Sequence, residues 1–411
     1  MDTLAGKRIV LGVCGSIAAY KVVQVARDLT LAGAQVDVIM TEAAERFVGP
    51  ATFQALTGRP VLTDMWSLPE DGVIGHVSLG IRADAVVIAP ATANTIARLA
   101  AGLCDDLLTT TVLATRAPLL IAPAMNPSMY EHPATQANVA TLRARGAYVV
   151  EPEVGRMAEP VVGRGRLPEP ADLLAEIRAL LGRHHGPLRG RRVVVTAGGT
   201  REPIDPVRYL GNRSSGQMGY ALAERARDLG ATVTLISGPT ALTPPRAVTY
   251  VAIDTALEMR AAVQAACAQA DILIMNAAVA DFRPAQMAAE KIKKHGDEGI
   301  TLQLVQNPDV VGELAHRTDI FKVGFAAETH DLLANARSKL QRKGLDLIVA
   351  NDAIASIGQP EIALTVLDGK QAVELPRQPK AEAAATLLDL IVAQFEQWLL
   401  TRQPHAGEIA D

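Results

Sequence analysis

Cysteine is scarce: only Cys14, Cys104 and Cys267 occur in 411 residues, with no CxxC and no metal-ligand spacing. That excludes a disulfide scaffold and a zinc-finger module, and it implies small buried thiols in a reducing, cytoplasmic setting. Net charge is only −4, which gives no reason to expect nucleic acid or an anionic membrane as partner. No apolar run reaches the roughly 18 residues of a membrane span. No signal-peptide pattern stands at the N-terminus, where Lys7 and Arg8 precede a short apolar run ending at Gly12. GxGxxG does not follow the first strand of either half, and GxxxxGK[ST] is absent, so neither the usual dinucleotide fingerprint nor a P-loop is supported. Aromatics make up just 3% of the chain. Abundant alanine and valine in their place fit α/β packing around buried parallel strands.

The chain is too long for one ordinary core, so two domains are expected. Strand patterns begin at Ile9, Ala34, Ala83, Pro118 and Ala147, with helical patterns at 16–31, 133–145 and 169–181. A polar, basic stretch at 182–192, punctuated by Gly and Pro, breaks the series and reads as a linker. Strand patterns resume at Val193, Ala231, Asp271, Lys322 and Leu345, and a hairpin is expected around Asp368-Gly369. A final helix is expected over 380–400. The expectation is two doubly wound, Rossmann-like α/β domains, 1–184 and 191–411, joined by 185–190.

The densest signal is TAGGTREPIDPVRYLGNRSSGQMG, residues 196–219. It runs from a strand end to a helix start. Ser214, Ser215, Gly216 and Gly219 suit a phosphate at the free N–H groups of that helix. Arg201, Asp205, Arg208, Asn212 and Arg213 crowd the span between. In the first half, GVCGS with Gly15 and Ser16, APATANT with Thr92, Asn94 and Thr95, and APAMN with Asn126 all end strands. Open α/β sheets bind ligands at such ends, although Thr92 or Asn94 can equally be helix caps. His76, in GHVSLG, has a chemical role only if it faces the same crevice. In the second half NAAVADF places Asp281 after a strand end, EKIKK follows, and Lys339, Arg342 and Lys343 share one helical face.

These segments, in this order, resemble the bifunctional coenzyme A biosynthesis family, in which a phosphopantothenoylcysteine decarboxylase is fused to a phosphopantothenate–cysteine ligase. GSIAAYK, PATANT, PAMN, TREPIDPVRY, NRSSGQMG, AAVADF, EKIKK and GFAAET carry the resemblance, which covers essentially the whole chain. It implies an FMN-dependent decarboxylase in the first half, with Gly15, Ser16, Thr41, Thr92, Asn94 and Thr95 lining the flavin site. His76 would assist oxidation or carboxylate handling, and Asn126 would hold the carboxylate of 4'-phosphopantothenoylcysteine. In the second half it implies a ligase that joins cysteine to 4'-phosphopantothenate through an acyl-cytidylate made from CTP. Asn212 would polarise that intermediate and Lys291 would neutralise developing charge. Met275, Asn276, Ala277, Asp281, Pro308, Asp309, Val310, Val311, Phe325, Lys339 and Lys343 would contact CTP. Mg2+ is expected as counter-ion, with its protein ligands unknown.

One departure stands out. The family places a cysteine in a flexible substrate clamp as proton donor, and here Glu159 occupies that position in GRMAEPVVGRGR. A carboxylic acid can take the role if burial raises its pKa. A flavin-fold regulatory protein without turnover is the alternative for this half. Flavin prenyltransferases lack the second domain. The resemblance further implies trimeric decarboxylase and dimeric ligase units combined in a homo-oligomer, a dodecamer, with the flavin between subunits.

Overall fold

Apolar strands alternating with amphipathic helices fold into two compact units, Met1–Gly186 and Pro187–Asp411. The computed structural model describes residues 3–66, 75–158, 160–294, 299–328, 330–356 and 358–402.

In the first unit, β1 (Arg8–Val13), β2 (Gln35–Met40), β3 (Ala85–Ala91), β4 (Leu119–Pro123) and β5 (Tyr148–Val149) form a parallel sheet in the order β2-β1-β3-β4-β5. The order reverses between β1 and β3, so a crevice opens beyond their carboxyl ends. Helix Ala19–Leu31 covers one face by burying Ala19, Val22, Val25, Ala26 and Leu29 at helical spacing. It starts three residues later than its sequence pattern. The Ser16 hydroxyl accepts the Ala18 N–H at 3.3 Å and holds the preceding residues in a turn. Two strands absent from the sequence reading, β6 (Glu153–Arg156) and β7 (Val162–Arg166), form a separate antiparallel ribbon.

Helix Pro170–His185 runs past its expected end at 181, so residues 182–185 are helix rather than linker. Arg183, His184 and His185 suit the negative end of the helix dipole, and Gly186-Pro187 stops the helix.

The second unit contains β8 (Arg192–Ala197), β9 (Arg201–Pro203), β10 (Tyr209–Gly211), β11 (Thr232–Ser237), β12 (Thr249–Ala252), β13 (Ile272–Met275), β14 (Phe282–Pro284), β15 (Leu304–Gln306), β16 (Phe321–Glu328), β17 (Leu347–Asp352), β18 (Glu361–Leu367) and β19 (Ala372–Pro379). Its main sheet has the order β12-β11-β8-β13-β16-β17-β18-β19. It is parallel up to β17, and β18–β19 is the hairpin expected at Asp368. The short strands β9–β10 and β14–β15 make two small ribbons.

Helix Lys380–Leu400 is long and apolar enough by composition to cross a membrane, contrary to the sequence expectation that no segment is. Its Leu387, Leu388, Ile391 and Phe395 are instead buried in the core with Val323 and Val349 of the sheet.

Candidate active sites

Parallel strands deliver their carboxyl ends to one edge of a sheet. In the first unit this edge holds a crevice of about 1010 Å³. Gly15 and Ser16 follow β1, Thr41 follows β2, Thr92, Asn94 and Thr95 follow β3, and Asn126 follows β4; all line the crevice. A side chain at Gly15 would bring its Cβ within 2.4 Å of the Ala43 Cβ, so the turn there must stay bare. Thr92 is both lining and cap: its hydroxyl accepts the Thr95 N–H at 3.3 Å. The Thr95 hydroxyl in turn donates to the Cys14 thiol at 3.3 Å. Burial pushes that thiol up to about 11, so it stays protonated and inert.

The Thr41 hydroxyl is buried and has no hydrogen-bond partner. A ligand or water in the crevice would satisfy it. The bare turn, the hydroxyl cluster and this orphaned oxygen fit a flavin. Sequence reading missed the apolar part of the wall, Phe47, Met65, Trp66, Met125 and Met129. These residues sit in loops or short turns, where no periodicity marks them.

A second lobe of about 440 Å³ adjoins this crevice and shares Ser16, Ile17, Ala124, Met125 and Asn126 with it. Its far wall is the β6–β7 ribbon. His76 does not join Asn126 in either lobe. It lies half-buried on helix Gly75–Arg82, away from the lining of both. Within one chain the expected pairing of His76 with Asn126 is therefore not made. Glu159 lies outside the described residues.

The second unit carries a cleft of about 700 Å³ beyond β13 and β16. Asn212, Met275, Asn276, Ala277, Asp281, Pro308, Asp309, Val310, Val311, Phe325, Lys339 and Lys343 all line it. The loop after β13 is fixed from below. Thr196 accepts the Ala277 N–H at 3.0 Å, Thr200 accepts the Ala280 N–H at 2.9 Å, and Asn307 donates to the Ala280 carbonyl at 2.8 Å. The Asn212 amide donates to the Val279 carbonyl at 3.1 Å. Lys343 pairs with Asp309 at 3.0 Å, and Lys339 pairs with Glu328. Asn307, Arg342 and Asn351 are lining residues missing from the sequence assignment. Arg342 was legible as part of the cationic face.

Two expectations shift. Ser214, Ser215, Gly216 and Gly219 do not line this cleft; the first three form the turn into helix Gln217–Asp228 beside it, and Gly219 lies in that helix's first turn. Gly216 takes φ +75° as N-cap, and no side chain caps the helix, leaving its first N–H groups available. A Cβ on Gly219 would lie 3.0 Å from the Asn276 side-chain oxygen, so turn and cleft touch.

Lys291 is exposed and outside the lining. Its neighbour Ile292 is tied down: its N–H donates to Asp205 at 3.1 Å and its carbonyl accepts from Arg208 at 2.9 Å. The Arg208 guanidinium beside Asp205 holds that carboxyl well below the usual range. Backbone donors from Val207 and Arg208 add to the effect. Among the described residues no group of three or more His, Cys, Asp or Glu could hold a metal ion.

Residues 1–182 match the Flavoprotein family, and residues 188–395 match the DNA/pantothenate metabolism flavoprotein C-terminal domain. The coenzyme A biosynthesis bifunctional protein CoaBC of Vibrio vulnificus (strain CMCP6) is 46% identical over 397 residues, 95% of this chain and 98% of that protein. The protein of the same name from Mycobacterium tuberculosis (strain ATCC 25618 / H37Rv) is 51% identical over 362 residues, 84% of this chain and 86% of that protein. A crystal structure of the C-terminal domain of a CoaBC protein covers 52% of this chain and 99% of its own, at 38% identity and a TM-score of 0.45.

Proposed function

This chain belongs to the bifunctional coenzyme A biosynthesis family, and from that premise we propose what each of its two clefts does. It is a flavoprotein enzyme of coenzyme A biosynthesis with a ligase step and a decarboxylase step. The observation that carries the assignment is convergence. In each unit, residues from separate strand ends meet in one crevice.

In the first unit, Ser16, Thr41, Thr92, Asn94 and Thr95 would hold FMN, which when bound would supply a reversible two-electron acceptor. Asn126 holds the carboxylate of 4'-phosphopantothenoylcysteine beside it. His76 reaches this crevice from a second copy of the chain and assists oxidation or carboxylate handling there. Glu159 donates the proton that a cysteine gives elsewhere in the family.

In the second unit, the carboxylate of 4'-phosphopantothenate attacks the α-phosphate of CTP. Pyrophosphate leaves and an acyl-cytidylate forms. The amine of cysteine then attacks the activated carbonyl and cytidine monophosphate departs. Such chemistry depends on positioning and charge neutralisation. Asn212 orients the acyl group, Lys291 swings in against the transferred phosphate, and the turn at 214–219 cradles phosphate. Mg2+ binds mainly through phosphates and water. Exposed Tyr209, Leu210, Phe282 and Leu304 on the small ribbons support assembly with further copies. We place the enzyme in the cytoplasm.

The purified chain is expected to be yellow, to form cytidine monophosphate from CTP, 4'-phosphopantothenate and cysteine, and to release carbon dioxide. Colourless protein that forms no cytidine monophosphate would sink the assignment. Thr41→Val keeps the side chain's shape and removes the orphaned hydroxyl, so flavin affinity should fall about tenfold, a loss typical of one buried hydrogen bond. Fluorescence titration of flavin onto the apoprotein measures it, and an unchanged affinity would remove Thr41 from the flavin site.

A further inference from the structure

The two lobes of the first unit differ in charge. Glu42, Asp64, Asp105 and Asp106 line the larger one, against Arg98 alone. Lys21, Arg156 and Arg166 line the smaller one, and no Asp or Glu stands among its described lining residues. We propose that the smaller lobe is a phosphomonoester subsite and that Arg156 reads the phosphate of the decarboxylase substrate; this rests on the decarboxylase reading above.

Three features build the site. Lys21 is largely buried, with 12% of its side chain exposed, and its amine is held 2.6 Å from Glu169. Arg166 donates to the same Glu169 oxygen at 3.2 Å. One carboxylate thus serves two cations and leaves one positive charge over. The guanidinium of Arg156, at the end of β6, makes no hydrogen bond or ion pair among the described residues. It adds a second uncompensated charge. The surplus of two matches a phosphate monoester, which carries close to two negative charges at neutral pH.

The Arg166 fork lies directly across Gly155, where a Cβ would stand 2.8 Å from a guanidinium nitrogen and would push the fork aside.

The lobe also opens on the flavin crevice at Asn126. 4'-Phosphopantothenoylcysteine carries a carboxylate at one end and a phosphate at the other. With its carboxylate on Asn126, its phosphate end extends into the lobe whose charged lining residues, Lys21, Arg156 and Arg166, are all cationic. A guanidinium fork is the side chain best shaped to take two phosphate oxygens.

The test uses the full-length, flavin-loaded enzyme and two substrates, 4'-phosphopantothenoylcysteine and the same molecule without its phosphate. The readout is the ratio of their kcat/KM values for carbon dioxide release. The parent enzyme should strongly favour the phosphorylated substrate. Arg156→Gln should cut that preference about tenfold or more, as expected for one charge-assisted hydrogen bond. Arg156→Lys should keep part of it, and bound flavin should stay constant in both variants. An unchanged ratio, or equal losses on both substrates, would overturn the proposal. Loss of flavin from Arg156→Gln would overturn it too, by giving these cations to the flavin's own phosphate. Carbon dioxide release from neither substrate by the parent enzyme would instead remove the decarboxylase reading, and the subsite with it.

Discussion

Gly219→Val is expected to lower formation of cytidine monophosphate about a hundredfold or more, the cost of misplacing reacting groups by about 1 Å. Gly219 is the third residue of helix Gln217–Asp228. A Cβ there would stand 2.6 Å from the Ala197 Cβ, 2.9 Å from the Thr196 carbonyl and 3.0 Å from the Asn276 side-chain oxygen. Two of these neighbours are the end of a core strand and cannot yield. The helix start must retreat, taking its N–H groups with it, or Asn276 must leave the cleft floor. Thr196 also anchors the Ala277 N–H, so strain there spreads along the loop after β13. Gly219→Ala meets the same contacts with less bulk and should lose less. Decarboxylation by the same protein is the control, since the first unit has its own core. A ligation rate within twofold of the parent would mean that the turn does not serve the reaction.

The second expectation concerns His76. His76→Asn and Asn126→Ala should each lower carbon dioxide release about a hundredfold, the lower end of what one acid–base group contributes. Co-expressed in one cell, the two inactive chains should regain activity. His76 and Asn126 do not share a crevice within one chain, so a reaction that uses both must draw them from different copies. In a random mixture roughly a quarter of the interfaces pair an intact His76 with an intact Asn126, and activity should recover to about that fraction. Mixing the two proteins after purification, without subunit exchange, should recover none. Failure of the co-expressed pair would return His76 to a structural role.

The amino-acid sequence alone was enough to locate all five strands of the first sheet and every strand of the second main sheet except β12. Buried strands announce themselves as short runs of Val, Ile and Leu, and strictly local periodicity marks the helices between them. It also specified most of both crevices. Parallel strands bring the residues that follow them to one edge, so Thr92 and Asn126 in one unit and Asp281 in the other lie at a crevice without any knowledge of packing, whereas Thr41 and Phe325 entered only through the family resemblance.

Tertiary structure decided the remainder. Ile292, and with it the segment of Lys291, is held by hydrogen bonds to Asp205 and Arg208, more than eighty residues earlier in the chain. The cations of the smaller lobe come together because β6 pairs with β7 and because Lys21, far away in sequence, shares Glu169 with Arg166. Helix Pro170–His185 outruns its apolar pattern, with Arg183, His184 and His185 in its last turn at the negative end of its dipole. The division has one physical origin. Strand ends are aligned by a regular hydrogen-bonded ladder, whereas side chains on loops and ribbons are placed by individual long-range contacts that leave no periodic trace in the chain.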